Sequence, residues 1–375
     1  MNIAVNARLL QRSRMEGICR YIHETTKRMV LNQPDHTFYF FFDRPYDEFF
    51  IYADNVIPVV VGPQARHPIL WYLWFEWVLP YQFKKYKIDV FYSGDTYLSL
   101  RSKVPTLLVS HDIAYAHYPD HIRWSHLKHY QYYFPKYHHR ADHIVAVSEF
   151  TKQDIIEKYK LEPDKVSVGY NASPEGFKIL DDSKKDQVRQ KLTNGAPYFI
   201  YVGSLHPRKN VVNLIKAFDL FKATYNTSHK LVLVGRMAWN NEELKEVSKK
   251  LSHKEDIIFT GHLEHSLPEY LAAADALTYV SVFEGFGIPI LESMMSGVPV
   301  ITSNVSSMPE VAGNAALLID PKNPEEISEA MFRIVDNVNL RNSLVEKGQG
   351  RVNFFSWDDT AKHNWKVLLQ LANSK

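Results

Sequence analysis

Short apolar runs alternate with longer segments of helical spacing along most of the chain, and no other feature restricts its fold as much. Ile3–Ala7, Phe38–Phe42, Val56–Val61, Thr106–Val109 and His143–Val147 read as buried strands. A second series follows: Tyr198–Val202, Leu231–Val234, Ile257–Thr260, Ala276–Tyr279, Val298–Ile301 and Ala315–Leu318. Helical spacing lies between them; Val211, Leu214, Ile215 and Phe218 stand at i, i+3, i+4 and i+7, one face of a helix. Strands apolar on both faces and separated by helices belong to parallel sheets covered by helices on each side, so the fold class is α/β.

The alternation weakens between Val166 and Ala196, where Gly169, Pro174, Gly176 and Gly195 cluster around the polar run Asp181 to Lys185. This predicts a boundary near residue 172 and two domains, 1–172 and 173–354, a division that suits 375 residues. Hydrophobic residues make up 45% of the chain, enough for two ordinary cores. The stretch from Phe355 reads as a final helix, with Ser356 as N-cap and Asp358 and Asp359 in the first turn.

The net charge of +2 points neither toward nor away from a polyanion, and no nucleic-acid partner is expected. Cys19 is the sole cysteine, which excludes an internal disulfide and a Cys-rich zinc site and suits a reducing compartment. Met1 to Asn6 lacks the basic-then-apolar pattern of a secretory signal, and the most apolar stretch, Ile69 to Phe83, is short for a membrane span and contains Glu76. A cytoplasmic protein is expected.

Ligands of open α/β sheets sit beyond the carboxyl ends of the strands, so chemistry belongs in the loops that follow them. After Tyr198–Val202 come Gly203-Ser204-Leu205-His206-Pro207-Arg208-Lys209-Asn210, with a helix expected from about Asn210. Two cations at a helix N-terminus oppose its dipole; a bound anion reverses the sign, and free N–H groups with Arg and Lys suit a diphosphate. Two solvated basic residues on a loop explain the same letters. After Ala276–Tyr279 come Glu284-Gly285-Phe286-Gly287, then a helix from about Ile288 with Pro289 early and Glu292 in its second turn. The glycines allow close approach of backbone to ligand, and the carboxylates suit vicinal sugar hydroxyls. A glycine turn with two unrelated acids is the alternative.

In the first half, His111 and Asp112 follow a strand directly; His111 suits a substrate hydroxyl or phosphate, or a purely structural place, and Asp112 a turn cap. Gly17, in Glu16-Gly17-Ile18-Cys19-Arg20-Tyr21, either lets its loop approach a substrate or opens a helix. No P-loop, dinucleotide glycine fingerprint or Asp-x-Asp triplet occurs, and His138-His139 lacks companions at ligand spacing, so neither a metal nor another cofactor is expected.

These segments together resemble the retaining glycosyltransferases of group 1, or family 4, with the GT-B fold. The resemblance rests on Glu284-Gly-Phe-Gly-x4-Glu292, Val202-Gly203-x4-Arg208-Lys209-Asn210 and Pro309-Glu310-Val311-Ala312-Gly313-Asn314-Ala315-Ala316-Leu317. His111-Asp112, Val147-Ser148-Glu149-Phe150-Thr151 and Arg20-Tyr21 match as well. It implies two Rossmann-like domains facing a cleft, with the helix of 355–375 crossing back to the first, acceptor-side domain. It also implies a nucleotide-sugar donor, held in the second domain, and a glycan or lipid-linked glycan acceptor. Arg208 and Lys209 would hold the diphosphate, Glu292 the ribose, and Glu284 with the amides of Phe286 and Gly287 the sugar, beside Gly203 and Gly285. Gly235, Arg236, His262 and Leu263 would lie near the base, and His111 would touch the sugar. The first loop departs from the family by having one glycine where two are common, and Glu16 adds a charge, so Gly17 and Arg20 are assigned to the acceptor side.

The resemblance implies transfer with retention and without a metal; Glu-Gly-Phe-Gly-Ile-Pro with Ser306-Ser307-Met308-Pro309-Glu310 looks most like enzymes using GDP-mannose. A nucleotide-sugar epimerase, a sugar phosphorylase and a non-catalytic sugar-nucleotide-binding protein are the other classes; dependence on an acceptor, on phosphate, or on neither separates them. Trp71, Trp74, Phe75 and Val78 have the spacing of a helix face in a core. The same aromatics, followed by Lys84, Lys85 and Lys87 and joined by the stretch from Tyr130 to Arg140, also suit peripheral contact at the inner face of a membrane.

Overall fold

The computed structural model describes residues 1–15, 17–237, 242–263 and 266–374, without the side chain of Arg14. Glu16, to which the sequence reading gave a role, lies outside the described residues. The chain divides into two compact units, Met1–Asn171 with Ser356–Lys375, and Ala172–Phe355.

Unit 1 holds a parallel seven-stranded sheet of β1 (Asn2–Asn6), β2 (Thr37–Phe42), β3 (Val56–Val60), β4 (Val90–Ser93), β5 (Thr106–Ser110), β6 (His143–Ala146) and β7 (Val166–Val168). Its order is β3-β2-β1-β4-β5-β6-β7. The chain moves outward from β1 through β2 to β3 and then returns to the other side of β1, so the topological switch lies between β1 and β4. Strands β4 and β5 are buried at every residue, as a sheet covered on both faces requires. Helix α1 (Ile18–Asn32) covers one face together with the C-terminal helix Trp357–Asn373. Ser356 caps that last helix by accepting from the Asp359 N–H. Asn364, fully buried, donates to the hydroxyls of Tyr21 and Tyr92 at 3.3 and 3.4 Å, and Thr360 donates to the Tyr170 carbonyl at 2.6 Å.

The aromatic stretch forms helix α2 (Pro68–Leu73), a π-type turn over Trp74–Val78 and helix α3 (Leu79–Lys85), which pack beside α4 (Trp124–Arg140). Trp71, Trp74 and Phe75 are core residues. The indole N–H groups of Trp71 and Trp74 donate to the carbonyls of Ala65 and Val61 at 2.6 and 2.9 Å. Those three side chains are therefore excluded from any membrane contact. Burial with a satisfied indole N–H is the stable state of a Trp that has a carbonyl within reach.

Unit 2 holds a parallel six-stranded sheet of β8 (Tyr198–Val202), β9 (Lys230–Val234), β10 (Ile257–Gly261), β11 (Ala276–Tyr279), β12 (Val300–Ser303) and β13 (Ala316–Ile319), ordered β10-β9-β8-β11-β12-β13. Its switch lies between β8 and β11. Helix α5 (Val211–Tyr225) buries Val211, Leu214, Ile215 and Phe218, as its spacing predicts, and α6 (Ile288–Met295) buries Ile290 and Leu291. Strand β12 starts two residues later than its apolar run. Gly297 has a φ of 67°, and the Val298 N–H donates back to Ser293, so Val298 completes the turn that ends α6.

Candidate active site

The loops after β8 and β11 flank the switch of unit 2, the place where an open α/β sheet leaves a crevice. The first forms a 3-10 turn over Pro207–Lys209, and Asn210 bends the backbone into the left-handed region, with φ 58°, before α5 begins. Arg208 and Lys209 thus stand in the turn directly ahead of the helix, whose first residue is Val211. Asn210 holds the bend with its side-chain amide, which donates to the carbonyls of Val280 and Pro321.

Backbone bonds join the two loops. The Val282 N–H donates to the Arg208 carbonyl at 3.0 Å, and the Arg208 guanidinium donates to the Phe283 carbonyl at 3.0 Å. Glu284, 6% exposed, is the centre of the cluster. Lys209 Nζ lies 2.5 Å from Glu284 Oε1, and Arg208 Nη1 lies 3.5 Å from Oε2. Burial opposes ionisation of Glu284, but Lys209 and then Arg208 outweigh it and hold its pKa down at about 2. Lys209 also donates to the Tyr279 hydroxyl at 3.0 Å. Burial and the negative Glu284 keep that phenol protonated. The two cations and one carboxylate carry one net positive charge.

Ser306 and Ser307 shape the Glu284–Gly287 loop. The Glu284 N–H donates to Ser306 Oγ at 3.1 Å, and the Ser307 hydroxyl is shared between the carbonyls of Glu284 and Phe286, at 2.9 and 3.0 Å. Gly287 opens α6 with a φ of 102°, a conformation that favours glycine. Glu292 is buried in the second turn of the same helix, with Gly285 and Phe286 buried ahead of it.

Gly203 and Gly235 are set by packing. A Cβ on Gly235 would come within 1.8 Å of the Gly203 carbonyl oxygen, so the loops after β8 and β9 approach this closely only because Gly235 lacks a side chain. The Gly203 N–H donates to Val234, the Leu205 N–H to Arg236, and the Gly235 N–H to Gly261, tying the ends of β8, β9 and β10 together. Arg236 and His262 are exposed and Leu263 is half-buried on this side. Gly203, Gly235, Arg236, His262 and Leu263 thus stand on one edge of the crevice, and Glu284 to Glu292 on the other.

In unit 1, Gly17 caps α1 with a φ of 46°, and its carbonyl accepts from the Tyr21 N–H. Arg20 folds back on the Met15 carbonyl at 3.0 Å and lies 3.9 Å from Glu24. His111 Nε2 lies 2.7 Å from the Gly94 carbonyl in the loop after β4, and the imidazole and the Tyr21 ring meet edge to face. A carbonyl only accepts, so Nε2 carries the proton and Nδ1 is the accepting nitrogen. Burial depresses the pKa and favours this neutral ring, although the Gly94 bond, Asp112 and Asp95 pull the other way. Asp112 accepts from the Ala114 N–H at 3.0 Å, a turn cap.

The sequence reading missed a buried cluster at the switch of unit 1. Arg8 pairs with Asp95 at 2.6 Å and donates to the Ala65 carbonyl, while Asn6 donates to the other Asp95 oxygen at 2.6 Å. Arg8 and Asp95 stand 87 positions apart, so spacing carries no trace of the pair. Tyr279 was missed for another reason: it is the last residue of a strand and reads as core. Among the described residues, no group of three or more His, Cys, Asp or Glu side chains is arranged to hold a metal ion.

Two parallel-sheet units, one with a basic turn and a buried carboxylate at its switch, are the build of a GT-B glycosyltransferase. Residues 15–173 match the model of glycosyltransferase family 4, and residues 182–351 match that of glycosyl transferases group 1. The chain belongs to the group 1 glycosyltransferases. It is 29% identical to O-antigen chain mannosyltransferase B of Escherichia coli over 58% of its own length, a match spanning only 57% of that relative. It is 28% identical to O-antigen chain mannosyltransferase RfbU of Salmonella typhimurium over 75% of this chain and 79% of the relative. Two solved structures share the fold at 16% identity and a TM-score of 0.76. One is WaaG, a glycosyltransferase involved in lipopolysaccharide biosynthesis, covering 98% of this chain and 99% of its own. The other is HepE of Anabaena, in complex with UDP-glucose, covering 99% of this chain and 100% of its own.

Proposed function

We propose that the protein transfers a hexose from a nucleotide-sugar donor, with GDP-mannose the first candidate, to a glycan or lipid-linked glycan acceptor. The observation that carries this reading is the gathering of Arg208 and Lys209 on Glu284 at the switch of unit 2. Breaking the bond between C1 and the leaving oxygen places negative charge on a nucleoside diphosphate. Two fixed cations in a crevice neutralise that charge as it develops. Glu284 holds them in place beforehand and offers a carboxylate to the hydroxyls of the sugar. Glu292 takes the ribose, and the loop ends near Gly235, Arg236, His262 and Leu263 take the base. Unit 1 receives the acceptor on the side of Gly17 and Arg20, and the accepting Nδ1 of His111 suits a substrate hydroxyl. Retention follows if the acceptor attacks from the face that the diphosphate leaves, with a phosphate oxygen taking its proton; no protein base is assigned.

The mannosyl choice is supported by the two O-antigen mannosyltransferase relatives. A thermal-shift panel with GDP, UDP, ADP and dTDP tests the base. At a hundred times Kd the preferred nucleotide adds about 2.7 kcal/mol of stability. Stabilisation by UDP alone overturns GDP-mannose as the donor. Proton NMR of the first product reads the anomeric configuration, and an inverted product overturns retention.

A further inference from the structure

Gly94, whose carbonyl takes the His111 proton, stands between two pinned residues. On one side Asp95 accepts from the Asn6 amide at 2.6 Å, from Arg8 at 2.6 Å and from the Tyr97 N–H at 3.3 Å. On the other side the Ser93 hydroxyl donates to the Tyr97 carbonyl and accepts from Asn6 at 3.2 Å. Thr96 adopts a left-handed backbone, with φ 72°, and its hydroxyl donates at 3.0 Å to the carbonyl of Val109, two residues ahead of His111. Gly94 itself sits against α1, where a Cβ would come within 2.5 Å of Ile22 Cγ1. The loop after β4 is thus fastened to the end of β1 by Asn6 and Arg8, and to β5 by Thr96.

Arg8 is held as firmly as the acid it pairs with. Its guanidinium donates to the Ala65 carbonyl at 3.0 Å and lies 4.9 Å from the centroid of the Tyr97 ring, and both members of the pair are buried. Taking two charges out of water costs nearly as much as their attraction returns, so such a pair adds little stability that apolar residues of the same volume would not. Its effect here is geometric. A carbonyl whose neighbours on both sides are held cannot turn away from its partner. A carbonyl aimed at Nε2 selects the tautomer of the ring, and with it the nitrogen left to accept.

We propose that Arg8 and Asp95 are positioning residues that act through the Gly94 carbonyl, holding His111 with its proton on Nε2 and Nδ1 as the accepting nitrogen for a substrate hydroxyl. The use of Nδ1 rests on the function proposed above; the tautomer does not. Nitrogen-15 NMR of the histidine-labelled full chain at pH 8 reads the tautomer with no ligand added, and the His111→Ala spectrum assigns the signal. Wild type should show the Nε2–H form alone. Asp95→Asn sets an amide N–H against Arg8 or Asn6, themselves donors, so the loop should shift and both tautomers of His111 should appear. Turnover should fall by about 10²-fold, as for a reacting group displaced by an ångström, while binding of GDP or UDP stays as in wild type. Adding Arg8→Met removes the opposing cation and lets the amide nitrogen stand in place of Oδ2, while Oδ1 keeps Asn6 and Tyr97. That double variant should regain the single tautomer and most of the turnover. Should Asp95→Asn fold poorly, Arg8→Lys, which keeps a charged donor on Asp95, should retain the Nε2–H form and Arg8→Met should not. A lower melting temperature with the His111 tautomer unchanged in these variants overturns the proposal. Mixed tautomers with full turnover support the positioning and instead remove His111 from the reaction.

Discussion

Lys209 donates to Glu284 across 2.5 Å inside unit 2, and both side chains are largely withdrawn from water. The diphosphate-binding cation and the sugar-binding acid of the sequence reading are therefore one electrostatic unit, and neither can be changed without altering the other.

Lys209→Ala should show this coupling. It leaves a buried carboxylate with only the longer Arg208 contact, and breaking a buried pair costs about 3 kcal/mol. The melting temperature of the free protein should fall by several degrees. Adding Glu284→Gln removes the stranded charge and should restore most of that loss. Turnover should stay about 10²–10³ below wild type in both variants, as for other lost charge-stabilising donors. Calorimetry and initial rates decide it; a single variant that melts like wild type would falsify the coupling.

Acid should destabilise unit 2 through the same group. The folded pKa of Glu284 is about 2, well below its ordinary 4.5. The stability from its ionised form is fully present above the unfolded value and is lost as the pH falls from there through the folded value. Denaturant unfolding between pH 5 and pH 2 should therefore show a steeper loss in wild type than in Glu284→Gln; equal slopes would place the acid sensitivity elsewhere.

The neutral ring of His111, which burial favours, should carry its proton on Nε2, since the Gly94 carbonyl takes that proton. Nitrogen-15 NMR of labelled histidine reads the tautomer directly. His111→Ala should lower turnover with little effect on the binding of free nucleoside diphosphate. A matching loss in both would overturn a role for His111 at a substrate hydroxyl.

Two glycines should respond differently to alanine. Gly235→Ala places a Cβ on the Gly203 carbonyl, backbone against backbone, so folding of unit 2 should be severely impaired. Gly17→Ala meets no atom within 4 Å but bears the strain of a φ of 46° with a ψ of −111°, so it should cost about 2 kcal/mol. Thermal melts of the two proteins separate these outcomes.

Ten of the eleven strands read from the sequence lie within a residue or so of their runs, because the runs are apolar even in the partly exposed edge strands β3 and β10. The exceptions have local causes. Val298 is apolar but ends a helix, Val166–Val168 is too short for any period to register, and Val90–Ser93 follows an aromatic helical stretch that masks it. The loops bearing Arg208, Lys209 and Glu284 were legible because chemistry sits after strands. Their mutual ion pairing was not, since it depends on which strands become neighbours: β8 and β11 adjoin although two strands intervene in sequence. The Arg8–Asp95 pair was hidden in the same way.

The helix Trp357–Asn373 belongs to a unit whose other residues end at Asn171. On the ribosome, the residues of unit 2 are all made before the piece that covers Tyr21 and Tyr92 leaves the exit tunnel. Until then unit 1 must wait with an uncovered face, while unit 2 can complete its sheet unaided. The later unit in sequence can thus be the first to mature, and premature termination near the end of translation would release a chain whose donor unit is intact but whose first unit still offers an open flank to chaperones and proteases.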